Sequence, residues 1–169
     1  MSRTHQVHEF GPVYDSNSEI LILGSFPSVK SREVKFYYGH PQNRFWKLLS
    51  VLYEENEPLT IPEKKAFLMM HHIALWDVIA SCDIKGSSDS SIMNASVNDI
   101  SIILNAAEIK AIYANGKKAE SLYKKYIEPV TKRKITGLPS TSPANAACSM
   151  ERLKECWKQI LGRKESCLM

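Results

Sequence analysis

The chain has 169 residues, 44% hydrophobic and 24% charged, with 22 basic and 18 acidic side chains and a net charge of +4. That is one domain's length, read as a single domain over residues 1–169, and the balance builds an ordinary globular core rather than a disordered or fibrous chain. No apolar run approaches the roughly 20 residues of a membrane helix, and the opening MSRTHQVHEFGP is unlike a signal peptide, so a soluble, cytoplasmic protein is expected.

The elements follow from periodicity. Glu19–Gly24 (EILILG) is a short apolar run ended by glycine and predicts a buried strand. A loop follows to about Asn43. Phe45, Leu48, Leu49 and Leu52 then fall at helical spacing. Thr60–Glu63 (TIPE) has the form of a capping box and opens a helix through Met70. Ile73–Val78 predicts a second strand, and the polar stretch Ser81–Ser91 a loop. Ser96 and Asp99 are expected to start a helix carrying Val97, Ile100, Ile103, Leu104 and Ala107 on one side. Ile109–Ala114 predicts a third strand. Asn115 and Gly116 open a helix with Ala119, Leu122, Tyr123, Tyr126 and Ile127 on one face. Lys134–Leu138 predicts a fourth strand, and the last helix buries Met150, Leu153, Trp157, Ile160 and Leu161. Strands alternating with helices imply a mainly parallel sheet covered on both sides. In such sheets the site lies beyond the carboxyl ends of the strands. Four segments leave those ends: Gly24–Ser28, Trp76–Cys82, Asn115–Lys118 and Leu138–Asn145.

Several chemistries have no sequence support. There is no phosphate-binding G-x-x-x-x-G-K-[ST], no G-x-G-x-x-G after a strand and no G-x-S-x-G elbow. The modest positive charge permits a polyanionic partner without identifying one. Cys82, Cys148, Cys156 and Cys167 form no C-x-x-C pair, so no metal site is expected and the thiols read as reduced, with Cys156 in the core.

Two loops carry unusual residues. In Pro139–Pro143 (PSTSP), Ser140, Thr141 and Ser142 can donate to an anion ahead of a helix start, with Pro143 at its first position. Ser142 serves equally as a plain helix cap, and both readings stand. Phe36–Trp46 (FYYGHPQNRFW) is aromatic enough to stack on a nucleobase, although Phe45 and Trp46 read better as core. Asn43 fits both a helix N-cap and an amide presented to a cleft. Lys132–Lys134 reads as a solvated turn, His71 and His72 as a helix end, and His40 as a turn residue or a DNA contact.

Gly24–Ser28 (GSFPS), Tyr38–Trp46 (YGHPQNRFW) and Leu138–Ala146 (LPSTSPANA) together resemble the motifs of the uracil-DNA glycosylase superfamily. The closest branch is that of the hypoxanthine-DNA (deoxyinosine) glycosylases, family six, which Leu75–Cys82 and Gly86–Ser90 also fit. The resemblance covers roughly residues 8 to 161. It implies a three-layer α/β/α sandwich with a four-stranded, mainly parallel sheet. It implies a monofunctional enzyme of base excision repair, without metal or cofactor, that flips a deaminated base out of DNA and hydrolyses its N-glycosidic bond. DNA is the expected partner, a membrane is not, and a monomer is expected. The first motif lacks the Asn or Asp that several relatives carry there. The branch relies instead on the Asn that is Asn43 here, so hypoxanthine is favoured over uracil.

On this resemblance Tyr38 stacks on the base, with Phe26 a second candidate, and the backbone around Ser25 and Phe26 meets the base edge. Asp77 assists the base site or caps a turn. Ser28, Ser140, Thr141 and Ser142 hold phosphates, Lys117 or Lys118 adds charge, and Pro143, Ala144 and Asn145 form the wedge that fills the vacated stack. Asn43 is not basic, so its expected roles are orienting water and donating to the base. Two competing readings are a lesion-binding module that does not excise, and an α/β hydrolase of a phosphorylated metabolite.

Overall fold

The apolar runs form strands because five consecutive buried residues can be covered only from both faces of a sheet. A computed structural model describes residues 2–162, so Met1 and Cys167 lie outside the described residues. In chain order the elements are β1 (Thr4–Val7), β2 (Ile20–Gly24), α1 (Val29–Val34), α2 (Phe45–Leu52), α3 (Ile61–Met70), β3 (Ile73–Asp77), β4 (Ile79–Ile84), β5 (Met93–Val97), α4 (Ser101–Ala106), β6 (Ala111–Asn115), α5 (Lys117–Leu122), α6 (Glu128–Thr131), β7 (Thr136–Leu138) and α7 (Met150–Trp157). One sheet has the order β3-β2-β6-β7 with every pair parallel. All residues of β2 and β3 are buried. This is the mixed α/β architecture, a four-stranded parallel sheet flanked by helices, that the sequence implies.

The register matters for function. Gly24 pairs with Asp77, Leu23 with Ala114, and Asn115 with Leu138. The carboxyl ends of the four strands therefore lie in a row, Asp77, Gly24, Asn115, Leu138, along one edge. Two-residue alternation aims neighbouring side chains to opposite faces, so this register decides which residues look outward over the edge.

Several expectations are corrected. Ser81–Ser91 is not a loop throughout: its first part belongs to β4, which pairs antiparallel with β1 and β5 in a second, three-stranded sheet. Ser81 and Asp83 look like loop residues, but they sit on the less buried positions of a strand that buries Ile79, Cys82 and Ile84. Ser96 starts no helix. Met93–Val97 is β5, and α4 begins at Ser101, whose amide donates to Asp99 Oδ1 at 3.0 Å. The segment before Asn43 contains the short helix α1, capped by Ser28. The helix after Gly116 is broken by a π-turn at Tyr123–Ile127, which turns Tyr126 outward. Pro143 opens only a three-residue 3₁₀ turn, Pro143–Asn145, and α7 starts later, capped by Ser149. The Thr60–Glu63 capping box is formed as expected, and Cys156 is only partly buried against the core.

The join between the sheets fixes the site. Val78 N–H donates to Gly24 O at 2.8 Å and Ile79 N–H to Ser25 O at 3.0 Å. Asn98 Nδ2 donates to Asp77 O at 2.9 Å. The chain thus leaves β3 at Asp77 with its backbone held on both sides. At the other end of the row, the fully buried Trp157 donates from Nε1 to Pro139 O at 2.9 Å and packs edge-on to Phe45, tying α7 to the loop after β7. Trp157→Ala should cost about 3–5 kcal/mol of stability, read as a lower urea midpoint. It should also loosen the Pro139–Asn145 loop, read as faster amide exchange there.

Candidate active site

A cleft of about 910 Å³ opens beyond the carboxyl ends of the parallel strands. Its size suits a small-molecule or base-sized ligand. The loops after β2 and β7, the ends of β3 and β6 with the start of α5, and the aromatic segment before α2 all contribute to it. Each of the thirteen residues expected at the site, from Ser25 to Asn145, is among its lining.

The floor is built at Gly24. A Cβ there would lie 2.4 Å from Asp77 Oδ1 and 2.8 Å from the Tyr38 hydroxyl, so only hydrogen lets both side chains lean over this residue. Asp77 is 3% exposed. Its Oδ2 accepts from His8 Nε2 at 2.8 Å. Tyr38 has φ +53°, a left-handed conformation uncommon outside glycine that brings its ring over Phe45, centroids 4.1 Å apart. Its hydroxyl is buried without a hydrogen-bond partner; Asn115 lies near it without reaching bonding geometry. Burial first, and the Asp77 charge second, push the phenols of Tyr37 and Tyr38 well above their ordinary range. Phe26 is buried beside them.

Asn43 stands on the other side. Its Oδ1 accepts from Phe45 N–H at 2.9 Å, the helix-start role, and from the Thr141 hydroxyl at 2.8 Å. Thr141 Oγ1 in turn accepts from Asn115 Nδ2 at 3.0 Å, and Asn115 Oδ1 accepts from Thr141 N–H at 3.0 Å. With both lone pairs of Oδ1 engaged, the amide cannot flip without losing two bonds. Its Nδ2 is the group left to serve a ligand. Thr141 is 0% exposed. It holds Asn43 and has no hydroxyl proton left for a phosphate. The same holds for Ser28, which accepts from Ser31 N–H and donates to Ser31 Oγ.

The loop after β7 is shaped by its own hydroxyls. Ser140 Oγ accepts from Ser142 N–H and Ser142 Oγ accepts from Ala144 N–H, each at 3.1 Å. Both therefore keep a hydroxyl proton to donate outward. Asn145 Nδ2 donates back to Ser140 O. Arg44 clasps the far side, donating to Asn145 O and Cys148 O. Gly116, at φ +100°, admits Ser140 alongside, where a Cβ would meet that side chain at 3.2 Å. Lys117 is exposed at the rim, next to Lys118.

The fourth wall is the turn at Ser87–Ser90. Ser25 Oγ donates to Asp89 Oδ1 at 2.8 Å, Val29 N–H to Ser87 Oγ at 2.9 Å, and Arg32 Nη2 to Gly86 O at 3.1 Å. Desolvation by the cleft walls raises Asp89 from its ordinary range against the Ser25 hydrogen bond, and the Asp77 charge adds to it. The residue as a whole stays exposed, so water limits the effect.

The family profile described as the Uracil DNA glycosylase superfamily matches residues 12–161, nearly the whole chain. The chain belongs to the uracil DNA glycosylase superfamily. Among curated relatives it is 35% identical over 159 residues to the "Hypoxanthine DNA glycosylase" of Methanosarcina barkeri, covering 91% of this chain and 97% of that one. It is 37% identical over 156 residues to the protein of the same name from Methanosarcina acetivorans, covering 89% and 95%. Among solved structures, the NMR structure of a Methanosarcina acetivorans protein provisionally assigned as a uracil DNA glycosylase superposes with a TM-score of 0.78 at 35% identity. That match covers 92% of this chain and 96% of that one.

Within this superfamily fold, four contributors escaped the sequence reading. Asn115 and Asp89 lie in segments that pointed to the site, but nothing local reveals the bonds to Thr141 and Ser25. Arg44 belongs to a quoted motif and acts across 101 residues on Asn145. His8 has no sequence signal, because its partner Asp77 is 69 positions away. Gly24→Ala should displace Asp77 and Tyr38 and cost about 1–3 kcal/mol, measured by urea denaturation. An alkaline titration followed by ultraviolet absorbance provides a second check. The raised phenols contribute stability that is full below the unfolded tyrosine value and lost as pH rises towards their folded values. Tyr37 and Tyr38 should therefore ionise only as the protein unfolds.

Proposed function

We propose that this protein is a monofunctional DNA glycosylase of base excision repair, acting inside the cell on DNA. It flips a deaminated base, hypoxanthine first and uracil second, into the cleft and hydrolyses its N-glycosidic bond. The observation that carries the reading is Asn43, an amide in the cleft whose oxygen is doubly bound and whose amino group is left over. Support also comes from membership of the superfamily and from the two relatives named for hypoxanthine.

The chemistry follows from the charges. Breaking the C1′–N bond sends its electron pair onto the base and leaves an oxocarbenium-like sugar, to which water then adds with loss of a proton. A donor fixed where negative charge develops is the largest catalytic contribution available. Asn43 Nδ2 is such a donor. Its Oδ1 has no lone pair left to orient water, so of the two roles open to Asn43 the donor role is favoured. Extruding the base costs a few kcal/mol, least where pairing is already weak. The ring of Tyr38, backed by Phe45, and that of Phe26 give the extruded base an aromatic wall. Ser140 and Ser142 offer free hydroxyl protons to phosphates, with Lys117 adding charge, and Pro143–Asn145 forms a short stiff turn suited to fill the stack.

The test uses end-labelled oligonucleotides holding one deoxyinosine or one deoxyuridine, incubated with protein and then treated with alkali. Cleavage at deoxyinosine that requires alkali is expected, and Asn43→Ala should slow it about 100- to 1000-fold. Cleavage at deoxyuridine alone would overturn the hypoxanthine preference. Tight lesion binding without cleavage would replace the enzyme by a lesion-binding module.

A further inference from the structure

The floor of the cleft carries an acceptor and a donor side by side. Asp77 Oδ1 lies 2.4 Å and the Tyr38 hydroxyl 2.8 Å from the point where a Cβ on Gly24 would sit. His8 Nε2 holds the second carboxylate oxygen at 2.8 Å. The side chains of His8 and Asp77 are 2% and 4% exposed, so this pair is almost wholly withdrawn from bulk water. His8 is itself boxed by aromatic rings, with Phe10 at 4.5 Å, Tyr37 at 6.0 Å and Phe26 at 6.1 Å between centroids. Its Nδ1 has no partner. An orphaned lone pair there costs less than an orphaned N–H, so the pairing sets the tautomer: Nε2 carries the proton and donates to Asp77. The backbone of Asp77 is held too, by Asn98. A buried carboxylate with one oxygen bound and the other turned over a bare glycine is an acceptor that can only be satisfied from the cleft. The Tyr38 hydroxyl, protonated throughout the neutral range, is a donor with no acceptor of its own.

Deamination of adenine and of cytosine changes one edge of the base in the same way. Adenine and cytosine present a bare ring nitrogen, an acceptor, beside an amino group, a donor. Their products, hypoxanthine and uracil, present a ring N–H, a donor, beside a carbonyl, an acceptor. The acceptor–donor floor complements the second edge and opposes the first. We infer that His8 is a positioning residue for base selectivity: it holds Asp77 so that Oδ1, beside the Tyr38 hydroxyl, reads the ring N–H that deamination creates. This rests on the glycosylase reading above. It gives Tyr38 a polar role in addition to an aromatic one. It separates hypoxanthine from adenine and uracil from cytosine; guanine and thymine share the N–H/carbonyl edge, so their exclusion falls to the shape of the cleft around the guanine amino group and the thymine methyl. A site built to bond a ring N–H rejects an analogue that lacks it, because the carboxylate is then left buried and unpaired.

The experiment compares oligonucleotides containing deoxyinosine with the same sequences containing deoxynebularine, a purine with a bare ring nitrogen and no carbonyl. Single-turnover excision rates are measured for the wild-type protein and for His8→Phe, His8→Gln and Asp77→Asn. The difference in leaving-group ability between the two bases is common to all four proteins, so it cancels when their inosine-to-nebularine ratios are compared. The ratio should fall about 10- to 100-fold in His8→Phe, which keeps an aromatic ring in the box but loses the donor, and similarly in Asp77→Asn. His8→Gln, which can still donate to Asp77, should recover a large part of it. Equal slowing on both substrates, with the wild-type ratio preserved in His8→Phe, would reduce His8 to a structural role and overturn the inference. A wild-type protein that excises neither base would contradict the glycosylase reading instead. In that case the affinities of the same oligonucleotides, read by fluorescence anisotropy, carry the ratio and decide the selectivity claim separately.

Discussion

The site depends on one buried hydroxyl. Thr141 has no exposed surface, and its Oγ1 accepts a hydrogen bond from Asn115 Nδ2 and donates one to Asn43 Oδ1. Remove it and two things change together. Asn115 loses the acceptor for its Nδ2, and Asn43 loses one of the two bonds that fix its amide, while the Thr141 N–H to Asn115 Oδ1 bond still ties the loop to the sheet. A buried polar chain of this kind is stabilising only when every member is satisfied. Here each bond is within 3.0 Å. What the chain achieves is orientation: an amide that could face a ligand with either end faces it with its donor.

The rest of the architecture brings that donor to a place where charge can develop. Four parallel strands end in a row, and the middle of the row is a glycine that leaves the floor open. Asp77, at one end, is held from below by His8, and Asn115, on the other side, carries the Thr141 and Asn43 chain. The walls are pinned to the sheet rather than left as free loops. Asp89 is pinned through Ser25, the Pro143 turn through Arg44, and Pro139 through Trp157. A site held on rigid elements needs little reorganisation at the moment of reaction, the condition under which fixed dipoles work best.

Much of this was legible in the sequence, and the limits have physical causes. The strands Ile20–Gly24 and Ile73–Asp77 announce themselves as apolar runs because both faces are buried. β4 does not, because one of its faces is polar and its register is interrupted by bulges. The Thr60 cap is local chemistry and reads directly. Ser96 has the same look, but its residues pair across a sheet instead, an outcome set by tertiary partners rather than by propensity. The lining residues were legible because the motifs lie at strand ends. Which of them face a ligand was not, since that is decided by long-range bonds. Thr141 and Ser28 spend their hydroxyl protons inside the protein, whereas Ser140 and Ser142 keep theirs. His8 is the clearest case: its role exists only once β1 and β4 bring the N-terminal segment under Asp77.

Thr141 acts on the reaction through Asn43. A double-mutant cycle with Thr141→Val and Asn43→Ala, read as single-turnover excision of hypoxanthine, tests this directly. Thr141→Val alone should slow excision by about 10- to 100-fold, and should add almost nothing once Asn43 is alanine, because groups acting as one unit are not additive. If the two effects instead multiply, Thr141 does not work by orienting the Asn43 amide, and the central claim fails.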